Sequence, residues 1–158
     1  MKLVYSKENI IRGILIYSIG DTIATLIRGE FLPLRVLGMM LLGGTIYAFE
    51  IPNYFMWIEK KVTHLNHPKI TKTALALCYF NPIWIARHQF FIKLFSHEEI
   101  STSIFYVALK SYLGALPLSI LGNYIIQNLL PVRYRFIGSA IFSSFLAIYY
   151  ALSAVYFA

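Results

Sequence analysis

Residues 10–27 read IIRGILIYSIGDTIATLI, an apolar run with one carboxylate, Asp21, standing past its middle. As a helix rising ~1.5 Å per residue, such a run covers about 27 Å, close to the hydrocarbon thickness of a bilayer. A carboxylate there is costly in any apolar solvent, so the run poses two questions. One is whether the chain is built for lipid; the other is what neutralises Asp21.

Four further apolar runs follow: Leu34–Ile58, Thr73–Phe95, Thr102–Gln127 and Tyr134–Phe157. Each is close to or above the ~20 residues a membrane helix needs. The connections RGEFLP, EKKVTHLNHPKITK, SHEEIS and NLLPVR are short and polar. Pro33, Pro68 and Pro131 fall in them, where proline removes no helical hydrogen bond. The pattern predicts an all-α integral membrane protein. One bundle of about five hydrophobic helices, with four to five transmembrane spans, would occupy residues 1–158 as a single domain.

Composition agrees. Only 13% of the 158 residues are charged, against 58% hydrophobic and 16% aromatic, and the mean hydropathy is +0.64. Soluble domains carry roughly a quarter charged residues. The net charge of +7 (14 Lys and Arg, 7 Asp and Glu) sits mostly beside the apolar runs. It therefore reads as membrane topology, and nucleic acid is not expected as a partner. One cysteine, Cys78, allows no internal disulfide. The start MKLVYSKENIIRGI lacks a small-residue cleavage site, so no cleaved signal peptide is expected; Glu8 argues against a mitochondrial presequence.

Lys2, Lys7, Arg12, Lys60, Lys61, Lys69, Lys72, Arg133 and Arg135 would share one side, with Arg28, Arg35 and Lys93 at helix ends opposite. That bias places the amino terminus inside and the carboxyl terminus across the membrane. Tyr54 and Trp57, and Tyr149, Tyr150 and Tyr156, stand where interfacial aromatic belts are expected. Small residues recur four apart: Ser139, Ser143, Ala147 and Ala151; Ser111, Ala115, Ser119 and Asn123; Gly20 and Ala24; Gly44 and Ala48. Such stripes let helix backbones approach closely. The Ser and Asn stripe could alternatively line a wet path.

Four ionisable residues lie deep: Asp21, Glu50, Arg87 and Lys110. Counted along the proposed topology, Asp21, Arg87 and Lys110 fall in one layer, so an ion pair or triad among them is expected. Glu50 has no basic residue at its depth. Two readings stand open: the charges tie helices together, or they line or gate a hydrophilic path with Ser119 and Asn123 as polar lining. Histidines 64, 67, 88 and 97 are too scattered for a metal site, Cys78 reads as an inert packing residue, and no catalytic or cofactor motif is present. Neither enzyme activity nor a cofactor is expected.

Read together, several motifs resemble the Mpv-seventeen, peroxisomal-membrane-protein-twenty-two and Sym-one family of small membrane proteins. The first helix carries Gly20-Asp21, with Thr25 where the family has glutamine. Arg35 precedes Gly43 by eight residues, and Tyr54-Phe55-Met56-Trp57-Ile58-Glu59-Lys60 resembles the family's aromatic, acid and base block. Phe80-Asn81-Pro82, Pro117, Asn123-Tyr124 and Pro131-Val132-Arg133-Tyr134-Arg135 continue the order. Departures include Ala48-Phe49 for Gly-Pro, Ala76-Leu77 for Asp-Gln, Leu116 for tryptophan and Ile120 for glutamine.

The resemblance implies a non-enzymatic channel or facilitator for small metabolites. Its place would be the mitochondrial inner or peroxisomal membrane in a eukaryote, or the inner membrane of a bacterium. The expected partners are the lipid bilayer and a small-molecule solute, with homo-oligomers left open. A non-transporting assembly protein and a small amino-acid-type exporter are the alternatives.

Overall fold

The computed structural model describes residues 3–156, without the side chains of residues 147 and 149–156. Among the described residues the chain is all-helical. The helices are α1 (Lys7–Ile27), α2 (Pro33–Leu42), α3 (Ala48–Val62), α4 (Pro68–Tyr79), α5 (Pro82–Phe95), α6 (Ser103–Asn128) and α7 (Val132–Tyr156). A π-helical turn, Gly43–Tyr47, joins α2 to α3, so Pro33–Val62 runs as one helix of 30 residues. Three helices, Lys7–Ile27, Pro33–Val62 and Ser103–Asn128, are long and apolar enough to cross a membrane.

Local chemistry sets the ends. The Ser6 hydroxyl caps α1 by accepting the Asn9 N–H at 3.2 Å. At the other end Gly29, at φ +76°, closes a Schellman turn: its N–H reaches the Leu26 carbonyl and the Glu30 N–H reaches that of Thr25. Proline occupies the first position of α2, α4 and α5, where its missing N–H costs nothing.

The expected single run Thr73–Phe95 is two helices. Phe80 ends α4, and the Asn81 side chain caps α5 by accepting the Ile83 and Trp84 N–H groups at 2.8 and 3.0 Å. Capping at Asn81 and proline at 82 together outweigh the unbroken hydropathy. At 12 and 14 residues, neither piece spans ~30 Å alone.

The chain forms two compact units, residues Met1–Asn53 with Phe136–Ala158, and residues Tyr54–Arg135. In the first, α1 packs along α2 and the π turn. Gly13 and Gly43 make the crossing: a Cβ built on either would strike the other's carbonyl. Gly20 faces Ser144 so closely that a Cβ there would also clash, and the Ser144 hydroxyl donates to the Ile16 and Ala140 carbonyls at 3.3 and 3.1 Å. The small-residue seam of α7 thus runs through buried Ser139 and Ala140 to Ser144, one residue on from the expected Ser143. The expectations for the side chains of Ala147, Ala151, Tyr149, Tyr150 and Tyr156, and for Phe157, lie outside the described residues. Tyr17 and Tyr47, ring centroids 4.7 Å apart, fill the core with Met39 and Ile51.

In the second unit α4 and α5 pack against α6. Ala86, Ile104 and Ala108 form one buried contact, and Phe55, Ile58, Val62 and Ala76 are also buried.

Two of the helices, α1 and α6, expose apolar stripes. On α1, Ile11, Leu15, Ile19 and Ile23 form an exposed stripe four residues apart, while Gly13, Tyr17, Gly20, Asp21 and Ala24 are buried. On α6, Phe105, Leu109 and Leu113 are exposed while Asn123 and Gln127 are buried. Continuous exposed apolar stripes are the reverse of a soluble helix, which turns its charged face outward.

Candidate functional site

Asp21 lies on the buried face of α1, one residue past the Gly20 contact with α7. Its two carboxylate oxygens accept from Arg35 Nε at 2.8 Å and from Arg35 Nη2 at 2.6 Å. Both side chains are more than nine-tenths buried. This fork-to-fork pair is the strongest geometry available to a carboxylate and a guanidinium, and it leaves no net charge in the core of the first unit.

The expected partners of Asp21 were Arg87 or Lys110; the structure puts Arg35 there instead. A short connection makes α1 and α2 antiparallel neighbours, so a long side chain near the start of α2 reaches back to Asp21. Treating Arg35 as a helix-end charge hid this. The signal available was the hairpin itself, with an acid and a base 14 residues apart on its two arms.

The other deep charges take different settings. Lys110 is exposed on α6, its ammonium 4.6 Å from the centroid of the Tyr106 ring. Arg87 and Glu50 are half-buried. Trp84, one turn before His88, stacks on it with centroids 5.4 Å apart. Cys78, expected as a packing residue, is exposed on α4. Among the described residues no group of His, Cys, Asp and Glu could hold a metal ion.

The second unit holds a charge cluster of its own. Glu59 Oε2 accepts from Lys72 Nζ and from Arg135 Nη1, both at 2.7 Å, and Arg135 Nε donates to the Leu130 carbonyl at 3.1 Å. Three elements, α3, α4 and α7, are thereby tied at one end. Beside this cluster, the Asn128 amide donates to the Lys69 carbonyl, the Thr73 hydroxyl and the Tyr124 carbonyl. Of the family-type residues, Glu59 and Arg135 meet here, while Lys60, Pro131 and Tyr134 are exposed nearby in sequence. Lys72 was missed as a partner. Tyr54 stacks between Trp57 and Tyr79 and donates its hydroxyl to the Leu75 carbonyl at 2.9 Å. Phe55 is buried, Pro82 opens α5, and Pro117 sits inside α6.

One face of α6 carries amides rather than charges. Ser119, Asn123 and Gln127 repeat every four residues, which stacks them on one side of the helix. Asn123 is 3% exposed and donates to the Ser119 carbonyl at 2.9 Å. Gln127 is 0% exposed, and neither its amide nitrogen nor its oxygen has a hydrogen-bond partner among the described residues. Leaving a buried polar group unpaired costs about 1–3 kcal/mol. The sequence pointed to Ser119 and Asn123 but stopped one turn short of Gln127.

No family model matches the chain, and neither a curated protein nor a solved structure matches it.

Proposed function

We propose that the chain is an integral membrane protein that lets small polar solutes pass along the amide face of α6. The Asp21–Arg35 pair and the Glu59–Lys72–Arg135 cluster act as clamps that hold its helices in place. The observation that carries the reading is Gln127: a primary amide, wholly buried, with neither polar atom partnered among the described residues. Native interiors rarely hold such groups unless a water or ligand completes them. The exposed apolar stripes of α1 and α6 support the membrane setting, because lipid is the solvent they match. The resemblance to the Mpv-seventeen family adds an organelle membrane, or a bacterial inner membrane, as the place.

An amide offers one donor pair and one acceptor and carries no charge, so it suits neutral polar solutes. Glycerol and urea are therefore the probes, read by stopped-flow light scattering of proteoliposomes. Gln127→Leu is expected to slow both fluxes several-fold while leaving the protein as stable as before or more so, since the unpaired amide is gone. Asn123→Leu should act in the same direction. Unchanged flux in well-incorporated variants would overturn the path.

A second reading, a non-transporting assembly protein, is favoured by the completeness of the Asp21–Arg35 pair. It expects no flux above empty liposomes for the wild-type chain.

A further inference from the structure

The segments around the Glu59 cluster carry a surplus of positive charge. Across residues 54–72 and 128–135 Glu59 is the only acid, and Lys72 and Arg135 already share its Oε2. Lys60, Lys61, Lys69 and Arg133 remain. All four are exposed, and each lies within three residues of a cluster member. None has a carboxylate partner among the described residues; Arg133 lies over the Tyr134 ring, 4.6 Å from its centroid. The contacts of Glu59 with Lys72 and Arg135, and of Asn128 with Lys69 and Thr73, gather the ends of α3, α4, α6 and α7, so these cations crowd one end of the unit. Large apolar side chains are exposed beside them: Trp57, Ile70, Leu129 and Val132.

We propose that this end binds the phosphate headgroup of an anionic phospholipid, with Lys60, Lys61, Lys69 and Arg133 as the ligating cations and the apolar side chains against the acyl chains. The inference rests on the membrane setting proposed above and not on the solute path. Charge complementarity selects the ligand: four cations beside exposed apolar surface match a molecule that is anionic at one end and hydrocarbon at the other. Phosphate alone would leave the apolar surface unmatched. Basic pockets at helix ends on the inner side of a membrane are suited to such headgroups.

The test uses the full chain in vesicles of neutral phosphatidylcholine with and without about one-fifth phosphatidylglycerol. Flotation is measured first, since a chain that does not float with either vesicle overturns the membrane setting and this inference together. For a floating chain, phosphatidylglycerol is expected to raise the thermal unfolding midpoint by several degrees, by preferential binding to the folded state. The quadruple variant K60Q/K61Q/K69Q/R133Q should float equally but lose most of that rise. The charge-conserving K60R/K61R/K69R/R133K should keep it. An undiminished rise in the glutamine variant, or no rise in the wild-type chain, overturns the site. An equal rise from soluble glycerol 3-phosphate in phosphatidylcholine vesicles also overturns it, since a free anion would then suffice.

Discussion

Asp21 and Arg35 each solve the other's problem. A lone buried carboxylate or guanidinium carries a large desolvation penalty, and the bidentate pair offsets part of it by presenting a neutral unit to the core. Asp21→Ala or Arg35→Ala should therefore destabilise the chain by about 3–5 kcal/mol, because each leaves one buried charge without its partner. The double variant Asp21→Leu with Arg35→Met should recover most of that loss. Denaturant unfolding in detergent micelles measures all three, and additive losses would show that the two side chains do not act as one unit. Gln127 behaves oppositely at the same scale. It lacks partners among the described residues, so its removal should not destabilise. Sequence alone marked Asp21 as anomalous from its surroundings, but the identity of its partner depends on which faces of two helices meet.

Elements are decided by chemistry within a few residues. Gly29 is the clearest instance: the Schellman turn that ends α1 needs a left-handed residue, and a side chain with Cβ there costs roughly 1–2 kcal/mol. Gly29→Val should lower stability by about that amount without changing the fold, as read by circular dichroism and thermal unfolding. The break at Asn81-Pro82 was also local and legible, since the proline and its capping asparagine are adjacent in sequence. Hydropathy averaging alone erased it. The Gly13–Gly43 crossing is different. Neither glycine has an unusual backbone angle that calls for it; each is needed because the other helix's carbonyl occupies the place of its Cβ. Gly43→Val should force α1 and the π turn apart and cost about 1–3 kcal/mol or more.

At the scale of the molecule, two compact units share a chain that leaves many large apolar side chains exposed. Cys78, the single cysteine, gives that arrangement a direct test. In detergent it should react with both small neutral and charged maleimides, since it is exposed on α4. In sealed proteoliposomes, the neutral reagent should still reach it while the charged one is slowed at least several-fold, because lipid would cover that face. Equal reaction in vesicles would place α4 in water. No residue needs to be changed for this measurement.

The sequence by itself determined the all-helical class, where most of the helical runs lie and the few polar residues that do not fit. Those features follow from hydrogen bonds and solvent preference within one or two turns, so they are written in neighbouring residues. Only the tertiary structure decided that Asp21 meets Arg35, that Glu59 is shared between Lys72 and Arg135, and that the Gln127 amide has no partner among the described residues. Each successive residue turns about 100° around a helix axis, so pairing between helices depends on rotation and register set jointly by all their contacts. One-dimensional depth counting cannot carry that angle.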